Sequence, residues 1–242
     1  METFTDLSRD SARCFRLLLD AMARPGKIVA FAPQLTPPPQ LDPGTAALIL
    51  TLLDFTTPVF LDDALKVPAV ESYIAFHTGA PITPKPAESS FAFIGNAAAL
   101  TALSTFAQGT HEYPDRSTTV ILQVEELGNT GGVELSGPGI RGSRHLSASP
   151  VSRNFWRLMQ ENNRSFPRGV DVGGDLDLEH QQGDRNREHP IAERLHAPGQ
   201  QSGASPRITT VLACHLRNPP HGATQRLPGG GVLTEHLGYE AG

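Results

Sequence analysis

Cysteine and lysine are scarce in this 242-residue chain, and each shortage excludes something. The two cysteines, Cys14 and Cys214, stand too far apart in sequence for a metal knuckle or a disulfide framework, and such usage suits a reducing compartment. There are three lysines: Lys27 after a Pro-Gly break, Lys66 in an acidic turn and Lys85 between two prolines. A Schiff-base lysine must be desolvated beside its cofactor, so these three read as solvated charges and exclude a pyridoxal phosphate enzyme. No apolar run approaches the roughly 20 residues of a membrane helix. The segment from Met1 to Asp10 is too acidic and polar for a signal peptide, so the expectation is a cytoplasmic protein without membrane contact. Lys and Arg total 20 against 25 Asp and Glu, a net charge of −5 that gives no nucleic-acid footprint.

Large aromatics are lacking in one region only. All 11 Phe and the single Trp lie in residues 1–171, whereas residues 172–242 hold one ring, Tyr239, with 11 of the 23 Gly and six of the nine His. A stretch with so little large apolar surface cannot offset the entropy of ordering it. The sequence therefore divides into a folded body, 1–171, and a mostly irregular tail, 172–242, whose best short helix would run from Ile191 to Leu195.

Within the body, periodicity and punctuation place the elements. Leu7, Phe15, Leu18, Leu19 and Met22 fall on one helical stripe that Arg24-Pro25-Gly26 ends. Ile28–Phe31 has strand character, and Asp42 before Pro43 opens a helix through Leu53. Val59–Leu61 is a short strand, Pro68 begins a helix through Phe76 closed near Gly79, and Ser90–Ile94 is a buried strand. Asn96 is expected to cap an alanine-rich helix to about Phe106, followed by the strongest strand, Ser117–Val124. Gly128-Asn129-Thr130-Gly131-Gly132 offers turn chemistry for a hairpin into Val133-Glu134-Leu135, and a last helix runs from about Ser152 to Asn162 or Asn163. Helices interleaved with strands and one antiparallel pair define an α/β layer architecture with a mixed sheet and helices packed on it.

Few residues carry chemistry. Gly137-Pro138-Gly139-Ile140-Arg141-Gly142 is a literal G-x-G-x-x-G. A dinucleotide site needs those glycines to open a helix, with an acidic residue about 20 positions on. Here the next helical pattern begins only after Pro150, and the acidic position falls in Glu161-Asn162-Asn163, so a glycine turn leaving a strand is the better reading. His111-Glu112 has no second histidine one helical turn away. The loop around it is polar and feeds a strand, with Arg116 paired locally. His77 ends a helix, where an imidazolium would favour the dipole. The tail histidines share no ligand spacing, Ser143, Ser147 and Ser149 flank His145 without a nucleophile elbow, and no Walker loop occurs. The residues thus supply no catalytic, cofactor-binding or metal site.

Phe15-Arg16-Leu17-Leu18-Leu19-Asp20-Ala21-Met22-Ala23-Arg24-Pro25-Gly26 resembles the opening signature of the H subunit of phosphonate carbon–phosphorus lyase, the PhnH family. Further segments follow in matching order: Leu52-Leu53-Asp54 with Thr57-Pro58-Val59, Gly95 before the Ala-rich stretch, Gly109 with Tyr113-Pro114, and Leu135-Ser136-Gly137-Pro138-Gly139-Ile140. Phe166-Pro167-Arg168-Gly169-Val170-Asp171 looks like the family's FP-x-G-V-D segment, so the resemblance spans residues 4–171. It implies the fold of the pyridoxal-phosphate transferases without their cofactor, a homodimer, and membership of a cytoplasmic complex with the G, I and J subunits. That complex makes a ribose 1-phosphonate 5-triphosphate by letting an alkylphosphonate displace adenine from ATP, and a separate radical subunit then breaks the carbon–phosphorus bond. The H subunit would serve it as a structural or accessory member.

Beyond Asp171 the sequence leaves the family pattern, running through Gly173-Gly174-Asp175-Leu176 and about 70 residues on. Pro206-Arg207-Ile208-Thr209-Thr210-Val211 echoes the family's ending far downstream of its usual place, and the composition between is what out-of-frame GC-rich coding would give. From a different class, the alternative reading is a stand-alone enzyme holding a nucleotide or phosphate at the Gly137–Gly142 turn.

Overall fold

The computed structural model describes residues 6–31, 33, 35–177 and 209–214. Helix α1, Leu7–Met22, opens on Asp6, whose carboxylate accepts the Arg9 N–H at 3.0 Å. Strand β1, Ile28–Phe31, follows the Pro-Gly break. Helix α2, Pro43–Leu52, begins with proline, whose missing N–H costs nothing in a first turn. After β2, Val59–Leu61, helix α3, Pro68–Thr78, is stopped by Gly79 in the left-handed conformation at φ 68°. Strands β3, Phe91–Ile94, and β4, Thr119–Val124, precede the long strand β5, Glu126–Ser136, and β6, Ser143–Ser149. Helix α4, Phe155–Arg164, and strands β7, Asp171–Asp177, and β8, Thr209–Cys214, complete the order.

Six strands form one mixed sheet in the order β1-β8-β7-β4-β3-β2, while β5 and β6 make a separate hairpin. Strands β2, β3, β4 and β7 run parallel, and β8 is antiparallel to both of its neighbours. Side chains alternate across a strand, so β3 and β4 feed two cores. Phe93 and Ile121 join Leu18 of α1, Ile49 of α2 and Tyr73 of α3 on one face. Ala92, Ile94, Val120 and Leu122 pack on the other against Val133 and Leu146 of the hairpin, and against Phe155 and Met159 of α4. The continuous apolar runs of β3 and β4 reflect burial on both faces. The result is three layers, α1–α3, the sheet, and the hairpin with α4.

Three expectations are corrected. The alanine-rich stretch is not a helix to Phe106: a single 3₁₀ turn, Ala97–Ala99, is followed by extended and turn backbone. Its buried residues are Ala97, Leu100, Leu103 and Phe106, a spacing of three that suits i→i+3 turns laid along a sheet and not a 3.6-residue helix. The glycine run at 128–132 does not reverse the chain. It forms an irregularity inside β5, where pairing jumps from Gly128↔Ser147 to Val133↔Leu146, and the reversal lies at residues 137–142.

The α1 stripe is the third correction. Leu18 is buried with Cys14 and Ala21, but Phe15 is 44% and Leu19 48% exposed. Strand β7 runs on to Asp177, and Thr209–Cys214 enters between β7 and β1, at the Thr209-Thr210-Val211 echo. Glycines at 173 and 174 lie in β7, paired with Ile121 and Leu122 of β4. The expected helix from Ile191 to Leu195 lies outside the described residues.

Candidate functional site

The segments that carry the family resemblance meet other parts of the chain at four junctions. At the first, the turn after α1 is pinned to the β5–β6 hairpin. The Asp20 carboxylate receives both Arg24 and Lys27, and the Lys27 hydrogen bond holds that carboxyl below the usual carboxylate range. Asn129 Nδ2 donates to the Gly26 carbonyl at 3.0 Å and to the His145 carbonyl at 2.9 Å. Arg144 Nη1 donates to the carbonyls of Arg24 and Pro25 at 3.3 and 3.2 Å. Gly139, at φ 80°, sits so close that an added Cβ would lie 2.3 Å from the Ala23 carbonyl oxygen.

This geometry accounts for the G-x-G-x-x-G string. The glycines at 137, 139 and 142 take positive φ, the Ile140 N–H closes onto the Gly137 carbonyl at 3.0 Å, and the chain enters strand β6. No helix begins there to present its N-terminus to a pyrophosphate, so the reading of a nucleotide or phosphate site at this turn has no geometric support.

The second junction lies at the carboxyl ends of the parallel strands, where open α/β sheets bind ligands. Asp62 follows β2, and its carboxylate accepts the N–H of Leu65, of Gly95 and of Asn96 at 3.1, 3.0 and 2.9 Å. Backbone amides that would cradle an anion after β3 are thus turned toward a carboxylate of the chain itself. Gly95 is required by crowding, because a Cβ there would stand 2.8 Å from Leu65 Cγ.

At the third, Asp54 organises the entry to β2. Its Oδ1 accepts from the Thr56 N–H at 2.8 Å and from the Thr56 and Thr57 hydroxyls at 2.7 Å, and these bonds, Thr57's foremost, lower its pKa. At the fourth, Gly109 folds against Tyr113 and Pro114, the Thr110 N–H donates to the Tyr113 carbonyl at 3.1 Å, and the Gly169 N–H donates to the Gln108 carbonyl at 2.9 Å. Arg116 is paired locally as expected, its guanidinium 4.2 Å above the Tyr113 ring. The Asn162 side chain exchanges two hydrogen bonds with the buried backbone of Val170, at 2.8 and 2.9 Å.

The remaining candidate residues are spread apart. Lys27 is not a free surface charge but half-buried against Asp20, and Lys85 pairs with Glu88 at 2.7 Å. His77 sits in the last turn of α3, where burial lowers its pKa and, among the described residues, its Nε2 is enclosed without a hydrogen-bond partner, which disfavours the imidazolium expected there. His111 lies in the loop before β4, and His145 lies in β6 with Ser147, whose hydroxyl donates to the Gly128 carbonyl at 3.4 Å. Among the described residues no three His, Cys, Asp or Glu side chains come together to hold a metal ion. A polar hollow of about 300 Å³ between residues 101–108 and α4 is lined by groups that pair with one another or with backbone, such as Arg157 with Glu161 at 3.4 Å and Gln108 with two carbonyls.

Sequence reasoning missed Asp62, Asn129 and Asn162, which make the junctions. Asn162 carried a signal, since it stands one turn after Leu158 and Met159 on the apolar face of α4. What the surface offers is contact. Phe55 is 77% and Phe76 81% exposed, and Phe15 and Leu19 add a second apolar area on α1. No helix among the described residues is long and apolar enough to cross a membrane.

Residues 2–173 match the family described as bacterial phosphonate metabolism protein (PhnH). The chain is 40% identical over 171 residues, 70% of its own length and 84% of the relative's, to the alpha-D-ribose 1-methylphosphonate 5-triphosphate synthase subunit PhnH of Rhizobium meliloti. It is also 34% identical over 64 residues, 26% of its length and 33% of the relative's, to a putative C-P lyase subunit protein HtxG of Stutzerimonas stutzeri. The chain belongs to the PhnH family of bacterial phosphonate metabolism proteins.

Proposed function

We propose that this chain is an accessory, non-catalytic subunit of a ribose 1-methylphosphonate 5-triphosphate synthase, the carbon–phosphorus lyase complex of phosphonate catabolism. It acts in the cytoplasm as a homodimer joined to the G, I and J subunits, and supports the transfer of an alkylphosphonate to ATP without a cofactor of its own. The family membership supports this reading, and one structural observation carries it. The polar residues of the family's motifs, Asp20, Asp54 and Gly95's partner Asp62, are committed to the chain's own backbone and side chains, while large apolar side chains face outward.

The parallel strands covered by helices are compatible with descent from a pyridoxal-phosphate transferase fold, and the engagement of Lys27 with Asp20 fits a version that holds no cofactor. The family body takes residues 1–171, and strands β7 and β8 complete its sheet. Calorimetric titration of the isolated protein with ATP and with methylphosphonate tests the reading. Neither is expected to bind tightly; saturable ATP binding with turnover by this chain alone would overturn it.

A further inference from the structure

Helix α1 is amphipathic twice over. Its inner face buries Cys14, Leu18 and Ala21 against the sheet and α2. Its outer half carries two adjacent stripes. Ala12, Phe15 and Leu19 recur at i, i+3 and i+7, and Arg9, Arg13 and Arg16 recur at i, i+4 and i+7, so each set lines one side of the helix. Phe15 and Leu19 are about half exposed, and all three arginines are exposed.

The acids of the same helix do not neutralise these arginines. Asp6 caps the helix, Asp10 accepts the Asp6 N–H, and Asp20 is taken by Arg24 and Lys27. None of the three guanidinium groups forms an ion pair among the described residues, and the Arg13 guanidinium stands 5.9 Å over the Phe31 ring. Among the described residues, a chain of net charge −5 therefore presents on α1 an apolar strip edged by positive charge without an ion-pair partner.

Resting on the subunit reading, we propose that the outer face of α1 is the docking surface for another subunit of the synthase, whose matching surface is apolar and edged by Asp or Glu. Charge decides between occupants. A second copy laid two-fold on the same face brings no free carboxylate of α1 to answer the arginines, and an antiparallel arrangement would set arginine stripe against arginine stripe. A nucleic acid would answer the arginines but leave Phe15 and Leu19 against solvent or phosphate. An acidic, apolar protein surface satisfies both stripes, with the rings as anchors and the charges setting orientation and encounter rate.

The test is co-expression of the full chain with the G, I and J subunits, and capture through a tag on this chain. Two multiple variants are compared with the wild type: Phe15→Ser with Leu19→Ser, and Arg9→Glu with Arg13→Glu and Arg16→Glu. Both change exposed positions, and a melting temperature and a solution mass equal to the wild type's establish that fold and homodimer persist. Each variant is expected to recover at least tenfold less of one partner subunit, and wild-type capture should weaken as salt rises. Wild-type recovery by both variants would overturn the proposal and leave the subunit reading intact. Variants that turn monomeric would overturn it in favour of a second copy. A wild-type chain that captures none of the three subunits would instead sink the subunit reading, and this proposal with it.

Discussion

Asn162 and Val170 hold each other across the end of α4. The Asn162 Nδ2 donates to the Val170 carbonyl at 2.9 Å, and the Val170 N–H donates to Asn162 Oδ1 at 2.8 Å, with both residues buried. The pair sets the chain's direction into β7, and the family's Gly169 sits beneath it at φ 130° because a Cβ would lie 2.9 Å from Asn162 Oδ1.

Asn162→Ala leaves a buried N–H and a buried C=O without partners. At ~1–3 kcal/mol for each of the two groups left unsatisfied, the variant should lose about 2–6 kcal/mol of stability in urea denaturation. A loss below about 0.5 kcal/mol, the scale of ordinary surface substitutions, would show that water or a rotated neighbour replaces the clasp.

Gly139 and Gly142 share the hairpin turn and a positive φ, yet they differ in surroundings. A Cβ at Gly139 meets the Ala23 carbonyl at 2.3 Å, whereas at Gly142 nothing lies within 4 Å. Gly142→Ala should therefore cost only the left-handed penalty of ~1–2 kcal/mol, and Gly139→Ala clearly more, because backbone must shift at the α1 junction. Equal losses in parallel thermal melts would refute the close packing of the turn on α1.

Tyr73 is fully buried, its hydroxyl has no partner among the described residues, and burial pushes its pKa up to about 12. The folded state thus holds the phenolic proton more tightly than the unfolded chain does, near pH 10. The stability this contributes is complete below about pH 10 and is lost as pH rises through about 12. Tyr73→Phe should flatten that alkaline loss and, by removing an unsatisfied buried hydroxyl, leave stability at pH 7 unchanged or raised by about 1 kcal/mol. Urea melts at pH 7 and pH 11 measure both, and a clear loss at pH 7 would mean that the hydroxyl is bonded.

Strand β8 fills the slot between β1 and β7, pairing Ile28↔Leu212 on one side and Gly174↔Leu212 on the other. Ending the chain at Asp177 would strip two strands of their partners, and the protein should aggregate or lose cooperative unfolding. Asp177 and Thr209 are register partners of adjacent antiparallel strands, which two residues can connect. Replacing residues 178–208 with Asn-Gly should therefore keep a cooperative melt. If the protein ending at Asp177 unfolds as cooperatively as the full chain, β8 is not part of the working sheet.

Legibility follows the physics of each region. Helix α3 and strands β2, β3 and β4 are readable because Gly79, the prolines and short apolar runs act locally. The stretch after Asn96 is not, since alanine content favours a helix and only contact with the sheet reveals the spacing of three at 97, 100, 103 and 106. At 128–132 the glycines signal an irregular backbone correctly, but whether it turns or bulges depends on where β6 pairs. Strand β8 is hidden because its stability comes from two neighbours distant in sequence and not from aromatic content. The junction residues Asp62 and Asn129 bond to backbone of other elements, which no local pattern encodes. Phe15 has the spacing of a core residue, and only the fold exposes it.

Native mass spectrometry of this chain co-expressed with the G, I and J subunits tests the central claim most directly. The account predicts one intact species that contains this chain together with all three partners. Assembly of the three partners into a complex with this chain left wholly in a free species would contradict it.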